Sequence, residues 1–167
     1  MANTDPFSKI EAAIWSHLTD FSDFRTLVPE DNRVVMSGAD RSEFDDGPKF
    51  TTHPQVRVLP DNGDARYLCS SGDALTQTWL VQIRLGDERV TKDFLPTMWA
   101  IYRALSAASV AGSELLSCTW NDKTFVIDAH LADFKCNYGA DDLVGGWLTA
   151  WAYRVNMQFT SADLPPS

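Results

Sequence analysis

The three histidines of this chain, His17, His53 and His130, are candidates for metal binding or acid–base catalysis. No two of them have the spacing of an H-x-x-x-H pair, and none lies beside a second candidate ligand in the sequence. The pattern therefore favours ordinary surface or strand histidines over a metal centre or a catalytic base.

Pairs of carboxylates are the next residues that could do chemistry, because hard cations prefer oxygen ligands. Asp45 and Asp46 are adjacent, as are Asp141 and Asp142, and residues 61–64 read DNGD. None of these groups has the spaced ligand pattern of a calcium loop, and such sequences are typical of solvated turns. We predict no metal ion here.

The sequence also lacks the usual motifs of nucleotide binding and nucleophilic catalysis. Gly145 and Gly146 are not followed by the lysine and helix of a phosphate-binding loop, and no serine lies in a G-x-S-x-G motif. The three cysteines are far apart, with no C-x-x-C pair and no nearby histidine, which indicates reduced side chains in a reducing compartment. The sequence predicts no cofactor and no enzyme, although a triad can assemble from distant positions.

Length, composition and charge narrow the class of protein. A chain of 167 residues, 44% hydrophobic, has the size of one domain, which we assign to residues 1–167. The net charge of -9 argues against specific nucleic-acid binding, which needs clustered lysines and arginines. The N-terminal residues resemble no signal peptide, and no apolar run is long enough to cross a membrane, so we expect synthesis in the cytoplasm.

Two segments have the apolar period of a helix. The first spans residues 6–18, with Asp5 as cap and an apolar stripe of Phe7, Ile10, Ile14 and Leu18. Residues 21–28 follow as a packed turn that leads to a short strand at 33–36. The second helix spans residues 91–108, with Pro96 in its first turn. Its predicted stripe consists of Phe94, Leu95, Met98, Ile101, Tyr102 and Leu105.

Alternating apolar residues predict the strands. The first of these strands spans residues 55–59 and stops at the turn-forming residues 60–63. A short strand follows at residues 65–70, and a long strand spans residues 75–85. Residues 114–120 and 123–134 read as a hairpin. The last strand spans residues 147–159, with one apolar face of Trp147, Trp151, Tyr153, Val155, Met157 and Phe159. The predicted fold class is α+β: a mainly antiparallel sheet with two principal helices packed on one face.

Residues 37–54 show no sustained period, and we predict a long loop or hairpin arm there. Structureless segments of this length are uncommon in compact domains unless they are functional or flexible. We expect the arm to contact a neighbouring subunit or partner. Its charged residues are candidates for that interface: Asp40, Arg41, Glu43, Asp45 and Asp46. Trp99 is a further candidate because it is offset from the stripe of the second helix, and aromatic residues are enriched at interfaces. Residues 160–167 are predicted to be a frayed tail.

The order of these elements resembles the tail terminator (tail-completion) proteins of long-tailed bacteriophages. The resemblance covers nearly the whole chain and is carried by residues 10–14 (IEAAI), 28–35 (VPEDNRVV), 54–60 (PQVRVLP), 76–84 (TQTWLVQIR) and 151–159 (WAYRVNMQF). The arm at 37–54 departs from that layout.

The resemblance implies a structural virion protein that is located in the tail or neck region and assembled in the host cytoplasm. It implies a homo-oligomeric, hexameric ring that caps the tail tube, stops its polymerisation and meets the head–tail connector or other neck proteins. An acidic bore would let DNA pass without binding it. Two alternatives remain open at this stage: another head-to-tail neck adaptor, and a small-molecule-binding α+β enzyme with a deep pocket.

Overall fold

A computed structural model describes residues 6–36, 53–69, 72–84, 90–110, 116–120, 123–133 and 147–160 of the chain. These residues form helices and strands that share one apolar core, so the predicted α+β class is confirmed. The predicted arm at 37–54 lies outside the described residues except for its last two positions. The predicted Asp5 cap and most of the predicted tail at 160–167 also lie outside them.

The helices are α1 Pro6–Asp20, α2 Ser22–Leu27 and α3 Val90–Val110, with a short 3₁₀ helix at Glu30–Asn32. In α1 the residues Ile10, Ile14 and Leu18 are fully buried, as their spacing predicts. The prediction that Phe7 belongs to the buried stripe is wrong: Phe7 lies in the first turn of α1 and is 40% exposed.

The segment predicted as a packed turn is the helix α2. Its residues Phe24, Leu27 and Val28 have the three- and four-residue spacing of a helix face, and Pro29 ends the segment. Phe24 is buried in the core, and its carbonyl accepts a hydrogen bond of 2.8 Å from the Val28 N–H. The prediction missed α2 because one apolar turn is too short to show a period.

Six strands follow the order β1-β2-β3-β6-β5-β4 across the sheet. Their bounds are β1 Arg33–Val34, β2 Gln55–Cys69, β3 Gly72–Arg84, β4 Leu116–Trp120, β5 Lys123–Asp133 and β6 Trp147–Thr160. β1 lies parallel to β2, while β2–β3, β3–β6, β6–β5 and β5–β4 pair in antiparallel register. The predicted hairpin at 114–134 is confirmed by the pairing of β4 with β5.

The prediction that the strand at residues 55–59 ends at the turn-forming residues 60–63 is wrong. β2 continues through these turn formers to Cys69 and pairs with β3 along its length. The register shifts between Pro60 and Gly63, so the extra residues are accommodated as a bulge. Proline and glycine are tolerated in a strand at such an irregularity, which is why they did not end it.

The last strand also departs from strict alternation. Trp151 is in register with Val81, but Leu148 rather than Thr149 is opposite Ile83, because the register shifts between Val81 and Gln82. An extra residue reverses the alternation beyond it. The predicted single face from Trp147 to Phe159 is therefore interrupted near residue 150, and Trp147 is in register with Arg84.

The core lies between α1, α2 and α3 and the central strands β2 and β3. On β3 the buried residues Trp79, Val81 and Ile83 alternate with partly exposed ones, as predicted. The core cluster contains Ile10, Ile14, Trp15, Leu18, Phe24, Val28, Val56, Val58, Trp79, Val81, Ile83, Phe94, Ala100, Ile101, Ala104 and Leu105. Trp151 was predicted to belong to a central core face, but it is only partly buried and packs at the margin of this cluster.

Pro96 lies deeper in its helix than predicted. α3 begins at Val90, so Pro96 is past the first turn and has no N–H for the carbonyl of Lys92. The next residue, Thr97, is fully buried, and its hydroxyl donates to the carbonyl of Asp93 at 2.6 Å.

We expect Pro96→Ala to raise the free energy of unfolding by about 2 to 3 kcal/mol. Restoring the helix bond contributes roughly 3 kcal/mol, and the larger entropy of the unfolded chain offsets up to about 1 kcal/mol of it. Urea denaturation followed by circular dichroism measures the change. Lys92→Ala, an exposed position on the same helix, is the control and should shift stability by less than about 0.5 kcal/mol. A Pro96→Ala protein no more stable than the parent contradicts the helix as described.

Candidate functional site

The three histidines, which the sequence predicts to be ordinary surface or strand residues, lie on separate parts of the fold. His17 is in α1, His53 precedes β2, and His130 is in β5 in register with Arg154. Within the described ranges, no group of three or more His, Cys, Asp or Glu residues is arranged to hold a metal ion. The carboxylates Asp40, Glu43, Asp45 and Asp46 and the neighbouring Arg41 lie outside those ranges.

Trp99 is the member of the predicted interface set that the structure describes. It lies near the middle of α3 with 59% of its side chain exposed, which agrees with its predicted offset from the buried stripe. Exposure of an indole is unusual because burying a large aromatic side chain is strongly favourable. Trp99 therefore points to a surface that a partner could cover.

Helix α3 carries two apolar stripes rather than one. The stripe that packs on the core includes small side chains and consists of Phe94, Thr97, Ala100, Ile101, Ala104 and Leu105. The second stripe, Leu95, Met98, Trp99 and Tyr102, has the i, i+3, i+4, i+7 spacing of another helix face. Three members of the predicted buried stripe belong to it: Leu95 is 64% exposed, Tyr102 is 37% exposed, and Met98 is partly buried. The assignment of Leu95 and Tyr102 to the buried face was wrong, because the buried side of α3 is formed by the stripe that includes Thr97, Ala100 and Ala104.

The second stripe and Trp151 form one continuous surface, here called the aromatic face: Leu95, Met98, Trp99, Tyr102 and Trp151. The rings of Trp99 and Tyr102 are stacked with centroids 5.4 Å apart, and Tyr102 lies 5.1 Å from Trp151. The five residues line a shallow groove of about 260 Å³. Strand β6 supplies Trp151 at the register position opposite Val81, next to the core.

Hydrogen bonds and packing hold the aromatic face in place before any partner binds. The Trp151 indole N–H donates to the carbonyl of Met98 at 3.2 Å, which ties β6 to α3 directly beneath the groove. At the edge of the face, the Arg103 guanidinium donates to the Asp23 carboxylate at 2.9 Å and links α3 to α2. Both partners of this ion pair are about half exposed, so it contributes at most about 1 kcal/mol. A surface fixed in this way loses little side-chain entropy on binding.

A second exposed apolar surface lies at the start of α1 and is here called the α1 pocket. It is lined by Phe7, Ser8, Glu11, Met36, Pro60 and Trp79 and has a volume of about 120 Å³. Phe7 and Met36 are each about 40% exposed, whereas Glu11 is buried and one oxygen of its carboxylate accepts a hydrogen bond from the Met36 N–H. This bond joins the end of β1 to α1 and shapes one side of the pocket.

The sequence of α3 itself indicates the aromatic face, but the prediction of a single apolar stripe combined residues of both faces. Apolar residues cover more than half the circumference of α3, whereas a surface helix has an apolar stripe roughly 100° wide. An excess of this kind indicates a helix with a second covered face. The α1 pocket has no comparable signal, because its residues come from α1, the end of β1, β2 and β3.

Among the described helices, none is both long and apolar enough to span a membrane. A comparison of the sequence with models of known protein families finds no match, and a comparison with curated proteins likewise finds none.

Proposed function

We propose that this protein is a structural virion protein that caps a phage tail tube as a ring, stops its polymerisation and joins the tail to the head connector. The proposed whole-chain architecture is a mainly antiparallel sheet with both principal helices on one face and an arm at residues 37–54. The observation that carries the proposal is the aromatic face, an ordered apolar surface on a helix that already packs its opposite side on the core.

The chemistry of the aromatic face supports a protein partner rather than a substrate. Tryptophan, tyrosine and methionine are enriched in the buried centres of interfaces. A substrate site adds a few converging polar groups to an apolar wall. At this groove the Trp151 N–H is already bonded to the helix backbone, and the other polar groups of the lining side chains are the Trp99 indole N–H and the Tyr102 hydroxyl.

The charge of the chain suits a ring around DNA. Each copy carries a formal charge of -9, so a ring concentrates negative charge around its axis. Carboxylates that face a bore repel phosphate, and DNA then slides through without binding. Rings form from head-to-tail contacts that close, and such a contact needs an apolar surface of the kind that α3 presents.

We expect the purified protein to associate as its concentration rises, and Trp99→Glu to weaken that association by about 30-fold or more. Interface tryptophans at the centre of a contact contribute at least about 2 kcal/mol, and a buried carboxylate adds a desolvation penalty. Sedimentation equilibrium measures the effect. Ser16→Glu, which adds the same charge at an exposed position of α1, is the matched control and should associate normally.

The mass in solution, the melting temperature and binding to tail tubes together separate the proposal from its alternatives. A protein that stays monomeric at all concentrations and melts higher with a small molecule favours the enzyme. A protein that forms rings but binds only neck proteins, with no affinity for tail tubes, favours a neck adaptor.

A further inference from the structure

The aromatic face has the features of a groove that binds an extended segment containing proline. The rings of Trp99 and Tyr102 are stacked at 5.4 Å, and Tyr102 lies 5.1 Å from Trp151, so three aromatic side chains adjoin one another in the groove. Grooves lined by aromatic residues are the sites at which proteins bind segments in the polyproline II conformation. The volume of about 260 Å³ lies below the roughly 300 to 1,000 Å³ of small-molecule pockets and suits a few side chains of a peptide.

The polar groups of the groove match the backbone of such a segment. A proline residue has a carbonyl but no N–H, so consecutive prolines offer acceptors alone. The groove supplies donors, namely the Trp99 indole N–H and the Tyr102 hydroxyl. The Trp151 N–H donates to the Met98 carbonyl and fixes the shape of the groove. A helical partner suits these donors less well, because its backbone carbonyls are bonded within the helix.

The chain itself contains a segment of this kind, residues 164–166 (LPP), shortly after β6. Of the eight prolines, Pro165 and Pro166 are the adjacent pair, so the sequence favours the polyproline II conformation most strongly at this place. The proline rings fix the backbone dihedral φ, which reduces the entropy that the segment loses on binding. Leu164 adds an apolar side chain next to them.

The reach of the chain indicates that the segment comes from a second copy. Thr160 lies nine residues after Trp151 in β6. At about 3.3 Å per residue, the end of the strand is therefore roughly 30 Å from Trp151. Pro166 follows Thr160 by six residues, which span at most about 22 Å even when fully extended. The prolines of one copy thus fall short of Trp151 in the same copy, whereas a neighbouring copy has no such limit.

We propose that residues 164–166 of one copy bind in the groove of the aromatic face of the next copy, against Trp99, Tyr102 and Trp151. This inference rests on the proposed function, because it names a contact between neighbouring copies in the ring. One copy supplies a segment and the next supplies a groove, so the contact is head-to-tail and can repeat around an axis until it closes.

Mixing two variants tests this contact directly. Trp99→Glu removes the groove and keeps the segment, whereas the double variant Pro165→Ser/Pro166→Ser removes the segment and keeps the groove. Each variant alone should associate about 30-fold or more weakly than the wild type, as expected when the centre of an interface is lost. Their equimolar mixture should form one-to-one dimers and nothing larger, because each pair has one working contact. Native mass spectrometry and sedimentation velocity measure the products.

Two further variants make the result decisive. Ser161→Ala/Ser167→Ala is the matched control: it changes two residues near the prolines and should associate as the wild type does. Leu95→Glu is a second groove variant at a side chain that is 64% exposed, for use if circular dichroism shows that Trp99→Glu is not folded.

Dimers in the mixture, together with normal association of the control, support the proposal. If the wild-type protein associates and the proline variant does so equally well, or if the mixture stays monomeric, the segment is not the occupant of the groove. The proposed self-association then stands without this contact. A wild-type protein that is monomeric at all concentrations overturns both.

Discussion

Trp79→Ala is expected to lower the free energy of unfolding by about 3 to 5 kcal/mol, the loss typical of removing a large buried aromatic side chain. Trp79 is 2% exposed and lies in the middle of β3, in register with Pro60 on one side and Tyr153 on the other. Its ring packs within the core between the sheet and the helices. Natural domains are stable by only about 5 to 15 kcal/mol, so the loss is a large fraction of the total, and the melting temperature should fall by about 6 to 20 °C.

Trp99→Ala is the matched control, since it makes the same chemical change at a site where 59% of the side chain is exposed. Exposed substitutions usually change stability by less than about 0.5 kcal/mol, so this variant should melt close to the parent. Urea titrations of both proteins at low concentration, where association is negligible, give the two values. Equal losses at the two positions would show that the buried and exposed tryptophans have been assigned wrongly.

The period of the apolar residues correctly predicted the helices and strands that bury one face in the core and contain no bulge. In β3, Trp79, Val81 and Ile83 alternate with partly exposed residues, and in α1 the buried residues Ile10 and Ile14 are one helical turn apart. In both cases the core is the only surface that selects apolar side chains, so the pattern and the burial coincide.

Periodicity failed where a local irregularity or a second apolar surface was present. The turn formers at residues 60–63 predicted the end of a strand, but backbone pairing with β3 stabilises β2 across the bulge. The shift near residue 150 of β6 depends on the partner strand, which the sequence of β6 does not contain. On α3, Leu95 and Tyr102 were assigned to the core, because hydrophobicity does not reveal which apolar side the fold covers.

The candidate site was predictable to a smaller extent than the fold. Trp99 was identified because it is offset from the predicted apolar stripe of its helix, and this offset can be read from the sequence of that one helix. Tyr102 and Trp151 stack beside it only because α3 packs against β6, and that contact joins residues far apart in the sequence. The α1 pocket combines residues from α1, β2 and β3 with Met36, which lies just after β1, so no local pattern predicts it.

In phage particles that lack this protein, we expect full heads and separate tails that fail to join, with tail tubes of uneven length. A growing tube adds subunits for as long as its end offers a binding surface. A ring that matches the tube end on one face and offers no tube-binding surface on the other stops this growth by geometry. Without the ring, tube length is set by subunit supply, and the tube end lacks the surface that the connector recognises.

Electron microscopy of particles from an infection without the protein, with tail lengths measured one by one, tests this prediction. Supplying the wild-type protein should restore joined particles with uniform tails, and Ser16→Glu should do the same. Trp99→Glu should fail to do so, because an interface tryptophan lost from every contact weakens each of them by at least about 2 kcal/mol, and a closed ring contains several. Uniform tails joined to full heads in the absence of the protein would contradict the terminator role. Uniform but unjoined tails would favour the neck adaptor, since such a protein connects a tail whose length another component has already set.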